Sequence, residues 1–172
     1  MSYIHLPHLD LIGHYQFITF RTHDSTDSFL KKLALQNKPN QKIQLEVDKY
    51  LDGSQNGAYL NDEALITLTG FLKSKNELIY ELIAFSIMSK HVHILIKPLK
   101  SLSSVMQIIK GTSAKLLNEL LKRKGKFWAN EYYDKVIRDQ THFESVYRYI
   151  KNNPLVLGEA KASLPRFYGI YE

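Results

Sequence analysis

The chain has 172 residues, 44% of them hydrophobic and 23% charged, which is enough for one domain with a sizeable core. It has no cysteine, which excludes disulfides, thiol catalysis and cysteine-based zinc sites. Its net charge of +6 is unevenly placed: Lys97 to Lys151 hold 12 basic residues against 5 acidic ones, so the rest of the chain is close to neutral at −1. A basic segment suits a polyanion such as nucleic acid, and a solvated basic surface is also common. No stretch approaches the ~18 apolar residues of a membrane span, and no signal peptide is visible. The expectation is an intracellular, cytoplasmic protein without a membrane partner.

Residues 1–13 are a mixed lead-in with Pro7. His14 to Thr22 reads as the first strand. Tyr15, Phe17 and Thr19 share one face while Gln16, Ile18 and Phe20 share the other, so it is apolar on both sides, as a central strand is. Asp24 to Gln36 has a helical stripe of Phe29, Leu30 and Leu33, broken at Asn37-Lys38-Pro39-Asn40. Residues 41–52 fit no single period, and Gly53 to Gly57 is a loop. The pattern predicts a helix over 62–74 with Leu65, Leu68, Phe71 and Leu72 buried. Glu77 to Met88 reads as a buried strand, and Ser89-Lys90 as a hairpin connection to the next.

That next strand carries the most informative residues. In Ser89 to Pro98, Val92, Ile94 and Ile96 alternate with His91, His93 and Leu95, so the two imidazoles project side by side on one face. Two histidines on a stiff strand are half of a divalent-metal site. They are also compatible with a purely structural role.

Ser101 to Lys122 is the longest predicted helix, with Leu102, Val105, Met106, Ile109, Leu116, Leu117 and Leu120 inward. Lys110, Lys115 and Lys122 lie among the outward positions. Its basic face tracks a phosphate backbone or is simply solvated. Arg123-Lys124-Gly125-Lys126 ends it. The aromatic run Phe127 to Tyr133, which includes Trp128, stacks on unpaired bases or joins the core. Asp134 to Arg138 reads as a short edge strand. Thr141-His142-Phe143-Glu144 reads as a capping box opening a helix that Pro154 ends. Its core stripe is Phe143, Val146, Tyr147 and Ile150. Tyr149 lies roughly 110° from that stripe, with Asn153 one turn later. Pro154 disfavours the α conformation at Asn153. The tail after Pro154 has little pattern and is expected to drape over the surface. The reading is one domain over 1–172, with a core of about 14–154 and a C-terminal tail of 155–172.

A tyrosine and an amide one turn apart are able to complete a histidine site, the amide oxygen as a third metal ligand and the phenol as a nucleophile. A surface tyrosine fits the same spacing.

Several blocks in order give the chain a resemblance to the single-tyrosine HUH transposases, most closely their REP-associated branch. The blocks are Tyr15 to Thr22, Ala58 to Asp62, Ile87 to His93, Met106 to Ala114, Gly125 to Trp128, Glu131 to Asp134, Ile137 to Asp139 and Tyr149 to Pro154. The resemblance implies a ferredoxin-like α+β fold with helices packed on an antiparallel sheet. It implies that His91, His93 and Asn153 ligate Mg²⁺ or Mn²⁺ and that Tyr149 is the nucleophile. The implied reaction cleaves and rejoins single-stranded DNA at hairpins through a 5′-phosphotyrosine. Lys110, Lys115, Arg123, Lys126, Trp128 and Arg138 are the expected DNA contacts, in a monomer or a homodimer. The chain departs from the family pattern at Ser89-Lys90, where Pro-Asn is common, and Asn153 stands where the wider family commonly has glutamine. The rival readings are a DNA-hairpin-binding protein without strand transfer and an ordinary nucleic-acid-binding module with structural histidines. A sequence-independent nuclease is disfavoured, because no acidic cluster suited to two metals is present.

Overall fold

A computed structural model describes residues 11–25, 56–157 and 164–172. The helix expected over Asp24 to Gln36 is described only at its first two residues, which are helical, and the segment 41–52 lies outside the described residues. Five strands form one antiparallel sheet: β1 (Gln16–Arg21), β2 (Tyr80–Ile87), β3 (His91–Pro98), β4 (Tyr133–Val136) and β5 (Phe167–Gly169), in the order β4-β1-β3-β2-β5. The first four reproduce the ferredoxin-like order, and β1 is fully buried as its two apolar faces predict. The helices are α1 (Asp62–Ser74), α2 (Leu102–Leu120) and α3 (Gln140–Asn152), followed by a 3₁₀ turn at Asn153–Leu157.

The sheet is covered on both faces. Leu65, Leu68, Phe71 and Leu72 of α1 and Leu102, Val105, Met106, Ile109 and Leu117 of α2 pack on Ile18, Phe20, Val92, Ile94 and Ile96. On the other face α3 seats Ile150 on Phe17, Ile83, Ala84 and Leu95, with Phe143, Val146 and Tyr147 beside it. The stripes of α1 and α3 are therefore where periodicity put them, and so are the first four residues of the α2 stripe and Leu117.

Three expectations are corrected. Leu116 and Leu120 are exposed, and Ser113 takes the inner position between Ile109 and Leu117. Its hydroxyl accepts a hydrogen bond from the Trp128 indole nitrogen at 2.9 Å, so a polar partner was needed there. Helix α3 is capped by Asp139, whose carboxylate accepts from the His142 amide, while His142 Nδ1 accepts from the Arg138 amide. This is the reciprocal logic of a capping box, two residues earlier than the Thr141 signal suggested. Finally, the tail does more than drape. Residues 167–169 extend the sheet as β5, paired with β2.

The tail is anchored by Arg166, a buried guanidinium. It donates to the carbonyls of Leu60 and Ile87 at 3.0 and 2.9 Å and to Asn61 Oδ1 at 2.6 Å. Asn61 occupies the N-cap position of α1 but its side chain caps nothing, because this arginine uses its oxygen. Arg166 thus ties the C-terminal segment to the start of α1 and the end of β2. Arg166→Ala should lower stability by roughly 2–4 kcal/mol in urea unfolding, since it strands buried acceptors.

Candidate active site

The site is built on β3, the middle strand, which is paired on one side with β1 and on the other with β2. Directly opposite residues in antiparallel strands share a face. The register aligns Tyr133, Thr19, His93, Ser86 and Phe167 as one row across all five strands, with Arg21 opposite His91 in the next row. The sequence reading placed the histidines on one face but missed these neighbours, because register between distant strands leaves no local signal.

His91 is 2% exposed and His93 is 0% exposed, with ring centroids 4.7 Å apart. Thr19 Oγ1 lies 2.7 Å from His93 Nδ1, and the His93 ring stacks on Phe17 at 5.6 Å. The tautomer in which Nδ1–H donates to Thr19 leaves the Nε2 lone pair available. Such an outer hydrogen bond is how metal-binding imidazoles are oriented. Neither ring nitrogen of His91, nor Nε2 of His93, has a hydrogen-bond partner among the described residues.

Burial lowers the pKa of both histidines. That of His91 falls well below the usual imidazole value through burial first, then through the charges of His93, Arg21 and Lys90. That of His93 falls to about 3 through burial and then Arg21. Both imidazoles are therefore neutral near pH 7 and hold lone pairs, the form that ligates a cation. Buried nitrogens without partners, beside a hydroxyl able to accept from Nδ1–H, fit a divalent cation. No group of three or more His, Cys, Asp or Glu gathers among the described residues.

Helix α3 brings Tyr149 to this pair. Ile150 is its buried anchor, and the Tyr149 ring lies 5.2 Å from His93 and 5.9 Å from Phe17, centroid to centroid. Tyr149 remains 39% exposed, so one edge faces the histidines and another is open to solvent. Tyr147 is occupied otherwise. Its hydroxyl accepts from the Tyr171 amide at 3.2 Å and donates to Glu172 Oε1 at 3.4 Å. Its pKa is raised, chiefly by burial. Asn153 follows one turn after Tyr149, and its backbone N–H donates to the Tyr149 carbonyl as the C-cap. Its backbone is α-helical, at φ −56° and ψ −44°, against the expectation from Pro154. The chain passes straight into the 3₁₀ turn, which keeps Asn153 in the helical path.

The expected DNA contacts divide. Trp128 is corrected outright: at 3% exposure it packs edge-on against Phe20 and Phe127 and has no free face for a base. Lys110 donates to the carbonyls of Ala129 and Asn130 at 2.6 and 2.8 Å, and burial pulls its pKa down to about 8. Arg123 pairs with Asp24 at 2.9 Å and lies 4.0 Å over the Tyr59 ring. Both cations brace the aromatic segment. Lys115, Lys126 and Arg138 are exposed.

Two predictions follow from this geometry. Trp128→Ala should cost about 3–5 kcal/mol of stability in chemical unfolding, the cost of emptying a core aromatic site. The histidines set a pH dependence. In the unfolded chain they take protons near pH 6.5, while the folded chain resists until about pH 3 at His93. The unfolded state binds more protons in that window, so stability is full above pH 6.5 and falls on acidification, by up to ~1.4 kcal/mol per pH unit for each histidine. Urea titrations between pH 7.5 and 5.0 should show a shallower pH slope in His93→Gln than in the wild type.

The model of the family described as Transposase IS200 like matches residues 58–153, more than half of the chain. Among solved structures, a REP-associated tyrosine transposase bound to a REP hairpin has a TM-score of 0.54 at 16% identity, covering 92% of this chain and 75% of that one. A chain from Deinococcus radiodurans R1, assigned provisionally as a transposase, has a TM-score of 0.47 at 17% identity, covering 88% of this chain and 97% of that one. No curated protein matches the chain. The first of these structures shares the α+β fold described above. The family match runs from the approach to α1 through the histidine strand to the end of α3, and so takes in His91, His93, Tyr149 and Asn153. The chain belongs to the IS200-like transposase family.

Proposed function

We propose that the protein is a metal-dependent, single-tyrosine HUH transposase of the REP-associated kind, which cleaves and rejoins single-stranded DNA at hairpins. The observation that carries this reading is the approach of Tyr149 to His93, at 5.2 Å between ring centroids. A buried, neutral histidine pair and a partly exposed phenol meet there from elements far apart in the chain. Family membership supplies the reaction class, and the structural neighbour bound to a REP hairpin supports a hairpin as the DNA partner.

His91, His93 and the Asn153 amide would hold Mg²⁺ or Mn²⁺. Bound there, the cation supplies charge that polarises a phosphate oxygen and eases attack on phosphorus. Tyr149 gives up its proton and its phenol oxygen bonds to phosphorus. The bond to the 3′ oxygen breaks, leaving a 3′-OH on one strand and a 5′-phosphotyrosine on the other. A phenol of pKa about 10 is weakly nucleophilic at neutral pH, so the reaction depends on that assistance. The ester keeps the energy of the broken bond, and a second 3′-OH is able to reverse the attack and join strands. Thr19 holds the His93 ring, and Phe17 stacks behind it, excluding water from that side. Lys115, Lys126 and Arg138 are the candidate phosphate contacts.

The test is a labelled single-stranded hairpin mixed with the protein and Mn²⁺, run on a denaturing gel. The wild type and Tyr147→Phe should form a covalent adduct. Tyr149→Phe should lose it by at least about 100-fold, and so should chelation. An adduct that survives in Tyr149→Phe would overturn the assignment of the nucleophile. Tight hairpin binding without an adduct under any metal would favour a binding protein that does not cleave. In parallel, Lys126→Ala should weaken hairpin binding and reduce its salt slope by roughly 1.

A further inference from the structure

Strand β2 carries one irregularity, and it decides what faces the histidines. Its pairing with β3 shifts between Leu82 and Ala84, so Ile83 is the extra residue of a β-bulge. Before the bulge, Tyr80 and Leu82 enter the core beneath α1 and α2. After it, Phe85 and Ile87 do. Ile83 and Ala84 both join the cluster under α3. The change of parity turns Ser86 to the α3 face, opposite His93 in register. Without the bulge this hydroxyl would point into the larger apolar core.

Ser86 is fully buried, and its hydroxyl has no hydrogen-bond partner among the described residues. The same holds for His93 Nε2 and both ring nitrogens of His91. Buried polar atoms are rarely left unpaired. Four of them at neighbouring positions of two adjacent strands, on one face, mark a place built to hold something polar. In the row Thr19–His93–Ser86 the imidazole has a hydroxyl on either side. The Thr19 hydroxyl meets His93 Nδ1; Ser86 stands opposite His93 in the register on the other neighbouring strand. A hydroxyl both donates and accepts, and hard cations such as Mg²⁺ and Mn²⁺ are surrounded by oxygen.

We propose that Ser86 is a positioning residue of the cation site, its hydroxyl hydrogen-bonded to an oxygen bound beside His93, a water in the free protein and a phosphate oxygen in the DNA complex. This rests on the reading of His91 and His93 as metal ligands. Ser86 acts through that oxygen and fixes its direction. Phe167 of β5, opposite Ser86 on its other side, bounds the row there with an apolar ring.

The experiment titrates the DNA-free protein with Mn²⁺, following free Mn²⁺ by electron paramagnetic resonance, and measures melting without metal. Wild type, Ser86→Ala and His93→Gln are compared. Ser86→Ala should bind Mn²⁺ about 10-fold more weakly, while its metal-free melting temperature is unchanged or higher, because an unpaired buried hydroxyl has gone. His93→Gln should abolish binding. Equal affinity in Ser86→Ala, with binding still lost in His93→Gln, would overturn the role of Ser86 and leave the histidine reading standing. Weaker binding accompanied by a lower metal-free melting temperature would assign Ser86 to packing and overturn the proposal. A wild type that binds no Mn²⁺, or binds it equally after His93→Gln, would overturn the histidine reading and this proposal with it.

Discussion

The register of β3 between β1 and β2 is the constraint on which the site depends. Side chains alternate along a strand, so a slip of one residue would send His91 and His93 into the α1/α2 core and bring Val92, Ile94 and Ile96 under α3. Each of those three residues is fully buried, and burying one contributes about 1.5–3 kcal/mol. A ladder hydrogen bond contributes only about 1 kcal/mol net. Apolar burial on the far face therefore holds the register, and the histidines are carried to their position by the residues between them. The bulge at Ile83 adds a local adjustment on β2 without disturbing that arrangement.

Helix α3 then divides its tyrosines by geometry. Tyr147 points toward the C-terminal segment, where the backbone at Gly169 leaves room for it; a β-carbon there would collide with the Tyr147 hydroxyl and ring. Lys151 reaches Glu172 at 2.6 Å on the same side. The C-terminal strand and its last residues thus grip one flank of the helix. Tyr149 projects from the other flank, against His93 and Phe17. The helix is pinned on its core stripe and on one side, which leaves the phenol a defined place and an open approach.

The basic segment of the chain works partly inward. Lys110 and Arg123 brace the segment that carries Phe127, Trp128 and Tyr132 against α2 and β1. That segment closes the sheet beside Thr22, which pairs with Trp128. A count of positive charge therefore overstates the surface offered to a phosphate backbone, and the exposed Lys115, Lys126 and Arg138 are what remains of the six expected contacts. The aromatic run is core for the same reason: its rings bury apolar area against the sheet, and Trp128 finds a partner for its N–H at Ser113.

By itself the sequence determined the elements whose pattern is local. The alternation of Val92, Ile94 and Ile96 with His91 and His93 set a two-faced strand. The stripes of α1 and α3 set which helical faces are buried, and with them the separation of Tyr149 from Tyr147. Tertiary structure alone decided what those faces meet. Thr19, Arg21 and Ser86 come beside the histidines through strand pairing, which depends on burial summed over whole strands. The bulge at Ile83 has no distinctive residue to announce it. Strand β5 is three residues long and is held by Arg166, whose partners lie about a hundred positions away in Leu60 and Asn61. Its short segment shows no period of its own, because it is ordered by an existing sheet edge and a buried guanidinium.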